Sequence, residues 1–264
     1  MRIRAIQKGI CLQQYKITGI CFLDFFTVPY YDTKVEVTDL KKLCIFDLDG
    51  TLANTLDSLA YSVEETLKAM ELPAITREQC REFVGNGAKK LLELALEASR
   101  EGASKRLPEA MQIYEEIFDE NCDYHAEVYE GMMDVVQTLH RQGIRLAVLT
   151  NKPDRQAKKV MKKLFPEGLF QKVWGQKETV ARKPSPEGVC LLLEHFGVEK
   201  EECLYIGDSE VDIHTGRNAQ VETLTAAWGF RSRQELEKCG AITLIDHPKD
   251  ILQFTGGGME HVSI

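Results

Sequence analysis

The stretch CIFDLDGTLANT (44–55) places two carboxylates, Asp47 and Asp49, at alternate positions directly after a short apolar run. Alternate residues of an extended segment point to the same side, so these two acids repel unless a cation sits between them. Three further stretches carry groups suited to the same chemistry: TNKP (150–153), ARKP (181–184) and GDSEVD (207–212). Each comes after an apolar run that reads as a strand, and open parallel sheets bind ligands beyond the carboxyl ends of their strands. Three acids, a hydroxyl and a lysine (Asp47, Asp49, Asp208, Thr150, Lys183) thereby converge on one rim. That set suits a phosphoryl group held beside a divalent, oxygen-seeking cation. One carboxylate attacks phosphorus to form an acyl phosphate, which water then hydrolyses. The second carboxyl protonates the leaving oxygen and afterwards activates the water. The hydroxyl and the lysine hold the equatorial oxygens.

Each signal also has a plainer reading. D-x-D-G opens calcium loops as well, but such a loop needs an acid where Ser58 stands and a helix upstream. Asp49-Gly50-Thr51 taken alone is a turn, and Thr150-Asn151 suits a helix N-cap. Lys183 taken alone is a surface lysine. Asp212 reads either as support for the metal or as the partner of Ser209 in a capping box, and the two roles are compatible. What favours chemistry is the company the four stretches keep.

The elements that must position these groups follow from hydrophobic patterning. Six short apolar runs read as strands: LCIF (43–46), IRLAVL (144–149), KVWG (172–175), CLYIG (203–207), ETLTAA (222–227) and AITLI (241–245). From the second run onward, helical stretches separate them, the rhythm of βαβ units. The expected fold is α/β, a doubly wound parallel sheet forming a Rossmann-like core, with strands apolar throughout because both faces are covered. Between the first two runs lie nearly a hundred residues without a convincing strand. There Leu59, Val63, Leu67 and Met70 recur at helical spacing, Thr76 and Gln79 make a capping box, and Leu91, Leu92, Ala95 and Leu96 form an apolar stripe. Met111, Tyr114, Ile117 and Phe118 form another. The expected organisation is a core of residues 41–56 and 129–255, a helical cap of residues 57–128 hinged near 53–57 and 128–131, and a flexible tail at 256–264. In the cap, VGNGAKK has two readings: a helix end and turn through Gly85 and Gly87, or a ligand loop over 85–90 opening a helix N-terminus.

Charge narrows the partners. The net charge is −8, and residues 57–128 carry 16 acids against 8 bases, the whole excess. Such a balance disfavours nucleic-acid backbones. Residues 1–40 are basic at the start and hold the apolar stretch ITGICFL, too short to span a bilayer and without a small-residue cleavage site. They read as an extension of unknown role outside the fold, either upstream sequence translated from a wrongly chosen start or, second to that, a degenerate targeting segment. Eight scattered cysteines without a C-x-x-C pair read as reduced thiols of a cytoplasmic protein.

The set DLDGT (47–51), TNK (150–152), KP (183–184) and GDSEVD (207–212), in this order, resembles the haloacid dehalogenase-like hydrolases over about residues 41–253. A helical insert directly after the first motif resembles the members with a C1-type cap. REFVGNGAKKLLELAL (81–96) and WGFRSRQELEKCGA (228–241) look like phosphoglycolate phosphatases. The resemblance implies Asp47 as nucleophile and Asp49 as general acid/base. It implies Mg²⁺ held by Asp47, the Asp49 carbonyl and Asp208, with Asp212 behind them, and a phosphoryl group bound by Thr150, Asn151 and Lys183. An acid at position 49 implies phosphate esters, because relatives that cleave other bonds have no alcohol to protonate there. The expected substrate is a small phosphate monoester, with 2-phosphoglycolate foremost. A sugar-phosphate mutase, a pyrophosphatase or nucleotidase, and a non-catalytic binding protein are the alternatives, and monomer and homodimer both stay open.

Overall fold

The structure, a computed structural model, describes residues 40–256 and, apart from these, an antiparallel pair of two-residue strands, β1 (Ile6–Gln7) and β2 (Ile10–Cys11). Residues 1–38 and 39–264 are separate compact units. The expected extension (1–40) and tail (256–264) otherwise lie outside the described residues. Among those described, no helix is long and apolar enough to cross a membrane, and six cysteines are free thiols.

In the second unit β3 (Leu43–Phe46) leads into a short strand, β4 (Ala53–Asn54). Four helices follow: α1 (Leu56–Ala69), α2 (Arg77–Phe83), α3 (Ala88–Ser99) and α4 (Leu107–Asn121). Then β5 (Glu127–Val128) returns to pair antiparallel with β4. Thereafter helices and strands alternate: α5 (Met132–Arg141), β6 (Arg145–Pro153), α6 (Asp154–Leu164), β7 (Lys172–Gln176), α7 (Glu187–Phe196) and β8 (Cys203–Gly207). The run closes with α8 (Glu210–Ala219), β9 (Glu222–Ala226), α9 (Arg233–Lys238) and β10 (Thr243–Ile245).

Six of these strands form one sheet in the order β10-β9-β8-β3-β6-β7, every neighbouring pair parallel. β3 lies between β6 and β8, where the strand order reverses, and Asp47 stands at its carboxyl end. Every residue of β3 and β8 is buried, which is why LCIF and CLYIG are continuous runs rather than alternating ones. Cys44, Phe46, Leu146 and Val148 face α5 and α6, while Leu43, Ile45, Ala147 and Leu149 face α7. The sheet is therefore covered on both faces, the doubly wound arrangement that the rhythm of runs implies.

The insert forms because its apolar stripes meet. Leu59, Val63 and Leu67 of α1, Leu91, Leu92, Ala95 and Leu96 of α3, and Tyr114 and Phe118 of α4 are all buried in one cluster continuous with α5 and the sheet. Thr76 and Gln79 make the reciprocal capping box that starts α2. On α4 the stripe is rotated slightly from expectation: Ala110 is fully buried, whereas Met111 and Ile117 are only partly so.

One boundary differs from the sequence pattern. β6 continues four residues past IRLAVL to Pro153, so Thr150, Asn151 and Lys152 stand on the strand itself. Pro153, not Thr150 or Asn151, occupies the N-cap of α6. The polar end stays extended because all three side chains are buried and bonded into the site rather than solvated.

Gly175 in β7 shows how tightly that strand end is packed. A Cβ there would lie 2.4 Å from Asp154 Cα and 2.8 Å from the Lys152 carbonyl oxygen, backbone atoms that cannot rotate away. Gly175→Ala is expected to cost about 1–3 kcal/mol despite adding one methyl group, read as a lower urea midpoint at unchanged denaturant slope.

Candidate active site

The centre of the site is a buried ion-pair network. Lys183 Nζ lies 3.0 Å from Asp47 Oδ2 and 2.8 Å from Asp212 Oδ1, with the lysine side chain 3% exposed. Asp212 also accepts hydrogen bonds from the Tyr205 hydroxyl (2.7 Å) and from the Ser209 hydroxyl (2.6 Å) and amide (3.2 Å). The bond from the Ser209 amide is one half of the capping box that opens α8, the other being the Asp212 amide donating to the Ser209 hydroxyl oxygen (3.4 Å), so the capping reading of Asp212 is realised together with the ion pair. Asp208 accepts from Thr51 Oγ1 (2.9 Å) and from the Phe230 amide (2.8 Å). Glycines make room for these acids. A Cβ on Gly50, whose φ is +85°, would lie 2.2 Å from Asp208 Oδ2, and one on Gly229 would meet the same side chain at 2.3 Å.

The carboxylates divide into two kinds. Burial works to raise Asp212, but the Lys183 ammonium and the hydroxyls of Ser209 and Tyr205 more than offset it, holding the group below the usual carboxylate range. Burial likewise works against the Lys183 charge, and Asp212 and Asp47 overcome it, raising the ammonium's pKa. Asp47 goes the other way: burial, opposed by Lys183 and reinforced by Asp212 and Asp49, pushes it up to about 7. Burial and then the charges of Asp212 and Asp47 push Asp208 up to about 8. Oxygens of Asp47, Asp208 and Asp212 lie within 4.8 Å of one another. Asp212 is already saturated by donors, which leaves Asp47 and Asp208 facing one another with unmet charge. Counting Asp49 and Lys152, the site holds four carboxylates against two ammoniums. An all-oxygen donor set short of two positive charges fits a hard divalent cation.

Asp49 is held differently from Asp47. Its Oδ1 accepts from Thr55 Oγ1 (2.6 Å) and from Lys152 Nζ (2.9 Å), with Lys152 only 1% exposed. The lysine also lies 4.8 Å from the centroid of the Phe118 ring on α4, a cation–π contact between the strand edge and the insert. The Thr150 hydroxyl accepts from the Lys152 amide. The Asn151 side chain fastens the neighbourhood together: Oδ1 accepts from the Lys183 amide, and Nδ2 donates to the carbonyls of Lys183 and Gly85. All the sequence-expected residues thus gather at one edge. Thr51, Lys152 and the Phe230 amide belong there too, although residue types had not assigned them a part. Thr51 and Lys152 lie inside the quoted DLDGT and TNK stretches. The amide at 230 has no side-chain signature.

The four helices lie closed over this edge. The loop between α2 and α3 offers backbone carbonyls to core side chains: Val84 to Arg231 (2.7 Å), Gly85 to Asn151 (3.1 Å) and Asn86 to Arg182 (2.9 Å). Gly85 and Gly87 have positive φ there, and Gly87 caps α3, so the turn and the contact with the core coexist. On the other side the carboxyl end of α4 presents carbonyls without helical partners. Lys159 on α6 donates to those of Asp119 and Glu120, each at 2.9 Å, and Lys163 to that of Asp123 at 2.8 Å. Cations at that end also meet the negative pole of the helix. Beneath the helices a cavity of about 40 Å³ is lined by Asp47, Asp49, Asp208, Lys152 and apolar residues of the insert.

With this geometry in place, the chain can be set beside known proteins. A family profile described as haloacid dehalogenase-like hydrolase matches residues 44–226. Phosphoglycolate phosphatase 1 of Pseudomonas aeruginosa is 30% identical over 229 residues, 85% of this chain and 81% of its own length. A phosphoglycolate phosphatase of Mannheimia succiniciproducens is 34% identical over 194 residues, 72% of this chain and 87% of its own. Among solved structures, one described as a predicted phosphoglycolate phosphatase from Haemophilus somnus superposes with a TM-score of 0.76 at 27% identity, covering 81% of this chain and 98% of the other.

The raised carboxylates carry a stability consequence. A folded state that holds protons on Asp47 and Asp208 up to about pH 7 and 8 binds more of them than the unfolded chain above about pH 4. Metal-free stability therefore falls through these groups as pH rises from about 4 to 8. Asp208→Asn, which relieves the repulsion, should exceed the wild type in stability at pH 8 by on the order of 2 kcal/mol, read as a higher melting temperature, with the gap closing toward pH 5. A divalent cation should raise the wild-type melting temperature and leave the variant's unmoved.

Proposed function

This chain belongs to the haloacid dehalogenase-like hydrolases, and we propose that it is a magnesium-dependent phosphatase of small organic phosphate monoesters, with 2-phosphoglycolate as the preferred substrate. The observation that carries this reading is Asp49, placed two residues beyond Asp47 and held through one oxygen by Lys152 and Thr55. Its second oxygen is left to carry a proton to a leaving alcohol.

The Asp47 carboxylate attacks phosphorus as the bond to the ester oxygen breaks, and Asp49 delivers its proton to that oxygen. The result is a phosphoryl group on Asp47 and a free alcohol. Asp49, now ionised, takes a proton from water as the water attacks phosphorus, releasing inorganic phosphate and restoring Asp47. Lys183 and Thr150 hold phosphoryl oxygens, and Lys183 also keeps Asp47 oriented. When the insert lifts, Nδ2 of Asn151 leaves the Gly85 carbonyl and becomes free for the same oxygens. Asp47, the Asp49 carbonyl and Asp208 would hold Mg²⁺, which supplies neutralisation of phosphoryl charge. Asp212 acts behind them by holding Lys183.

Residues 57–128 serve as a cap over a core of residues 41–56 and 129–255, hinged where β4 pairs with β5. Closure excludes bulk water from the acyl phosphate. The relatives' names support a phosphoglycolate substrate, and the small cavity suits a small leaving group better than a nucleoside. The six free thiols among the described residues suit a reducing, cytoplasmic setting.

Phosphate release from 2-phosphoglycolate should require Mg²⁺, stop with chelator and resume on adding the metal back. Asp47→Asn should abolish it. Phosphoryl transfer to a second sugar without net phosphate release would instead identify a mutase. Asp49→Asn should slow the first step, alcohol release read within a single turnover, by about 10²–10⁴ for 2-phosphoglycolate, and far less for p-nitrophenyl phosphate, whose leaving group needs no proton. Equal losses on both esters would remove Asp49 from the acid role.

A further inference from the structure

Under the cap, one buried polar atom lacks a partner. Tyr114 of α4 is 1% exposed and lines the cavity together with Asp49 and Lys152, and its hydroxyl meets no hydrogen-bond partner among the described residues. A buried hydroxyl left in this state forfeits the bonds it made in water, and native interiors seldom leave one without a protein, water or ligand partner. The insert's share of the lining is otherwise apolar, from Leu59, Val84, Leu91 and Phe118, and the donors that the core contributes, Asn151, Lys152 and Arg231, already have partners in Gly85, Asp49 and Glu210.

A second observation gives that guest a charge. The twelve-residue helix α3 begins at this cavity, where Gly87 and Ala88 line the wall. Gly87 caps it without a side-chain bond, and its first turn holds no acid but does hold Lys89 and Lys90. The positive pole of the helix is therefore not neutralised from within the chain. Phosphate has its own place beside Asp47 and Lys183, on the core side.

We propose that Tyr114 is the specificity residue for the leaving group: its hydroxyl donates a hydrogen bond to a carboxylate carried there, whose charge is balanced by the start of α3. On the phosphatase reading above, the substrates are then small phosphorylated hydroxy acids, the acid end lying under the cap and the phosphoryl end on the core. The tyrosine takes no part in bond making, and its contribution is discrimination between esters of equal size.

Ethyl phosphate and 2-phosphoglycolate share a two-carbon frame and differ by the carboxylate. Tyr114→Phe should lower kcat/KM for 2-phosphoglycolate by about tenfold to a hundredfold and leave ethyl phosphate within about twofold. The unliganded variant should melt no lower than the wild type, because no bond is lost. Equal loss on both esters, no loss on either, or a lower melting temperature overturns the assignment. A second arm does not depend on turnover. In an Asp47→Asn background, calorimetric titration should show Tyr114→Phe weakening 2-phosphoglycolate by the same factor and leaving inorganic phosphate unchanged; equal effects on the two ligands reject the role. If the wild type hydrolyses neither ester, the phosphatase reading fails, and this titration still decides the part of Tyr114.

Discussion

A single buried ammonium, that of Lys183, organises the carboxyl edge of the sheet. Alone it would be costly to bury. Between Asp47 and Asp212 it is compensated, and the pair of contacts ties together the end of β3, the segment before α7 and the first turn of α8. Asp212 can serve because Tyr205 and Ser209 fill its remaining acceptor positions. Buried ion pairs of this kind add little net stability, and removing one member strands the other. Their value lies in geometry. Asp47 is held in one orientation with negative charge left over, and Asp208 adds more of the same sign. A site strained in this way in the absence of a cation is made for one.

The sheet was legible because burial on both faces writes continuous apolar runs at βαβ spacing. Asp47, Lys183 and Asp208 were legible because parallel strands all end at the same edge. What stayed hidden depended on distance along the chain. Lys152 sits in a stretch whose chemistry was noticed, yet its partner Asp49 is 103 residues away, and no local pattern announces the pair. Tyr114 belongs to an apolar stripe and reads as core until its hydroxyl is found unpartnered. The contacts that Arg182 and Arg231 make with the insert go to backbone carbonyls, which every residue possesses, so residue type says nothing about them. The apolar pattern ends β6 too early because polar residues usually signal that a strand has stopped. Here the site itself satisfies them.

The contacts that hold the helices closed share a feature. On both sides main-chain carbonyls are among the acceptors: those of the 84–86 turn toward Arg231, Asn151 and Arg182, and those of the α4 end toward Lys159 and Lys163, beside the carboxylates of Asp119 and Asp123 toward Arg155 and Lys163. Each donor is a long or flexible polar side chain that water can also satisfy. Breaking these bonds exposes groups that hydrate readily, in contrast to the apolar seam among α1, α3 and α4.

The two-residue β4–β5 ribbon has a further consequence, for the order in which the molecule is made. Leu43 of β3 pairs with Arg145 and Cys203, so the central strand leaves the ribosome roughly 100 and 160 residues before its neighbours. At about 5–20 residues per second, that is a wait of many seconds. For that time LCIF is an unpaired apolar strand with two exposed edges. The insert between β4 and β5 has its own apolar seam and can collapse first. The ribbon then closes the ends of that long loop and delivers β6 to the side of β3. The segment that covers the site is thus also the length of chain that separates the central strand from its neighbours during synthesis.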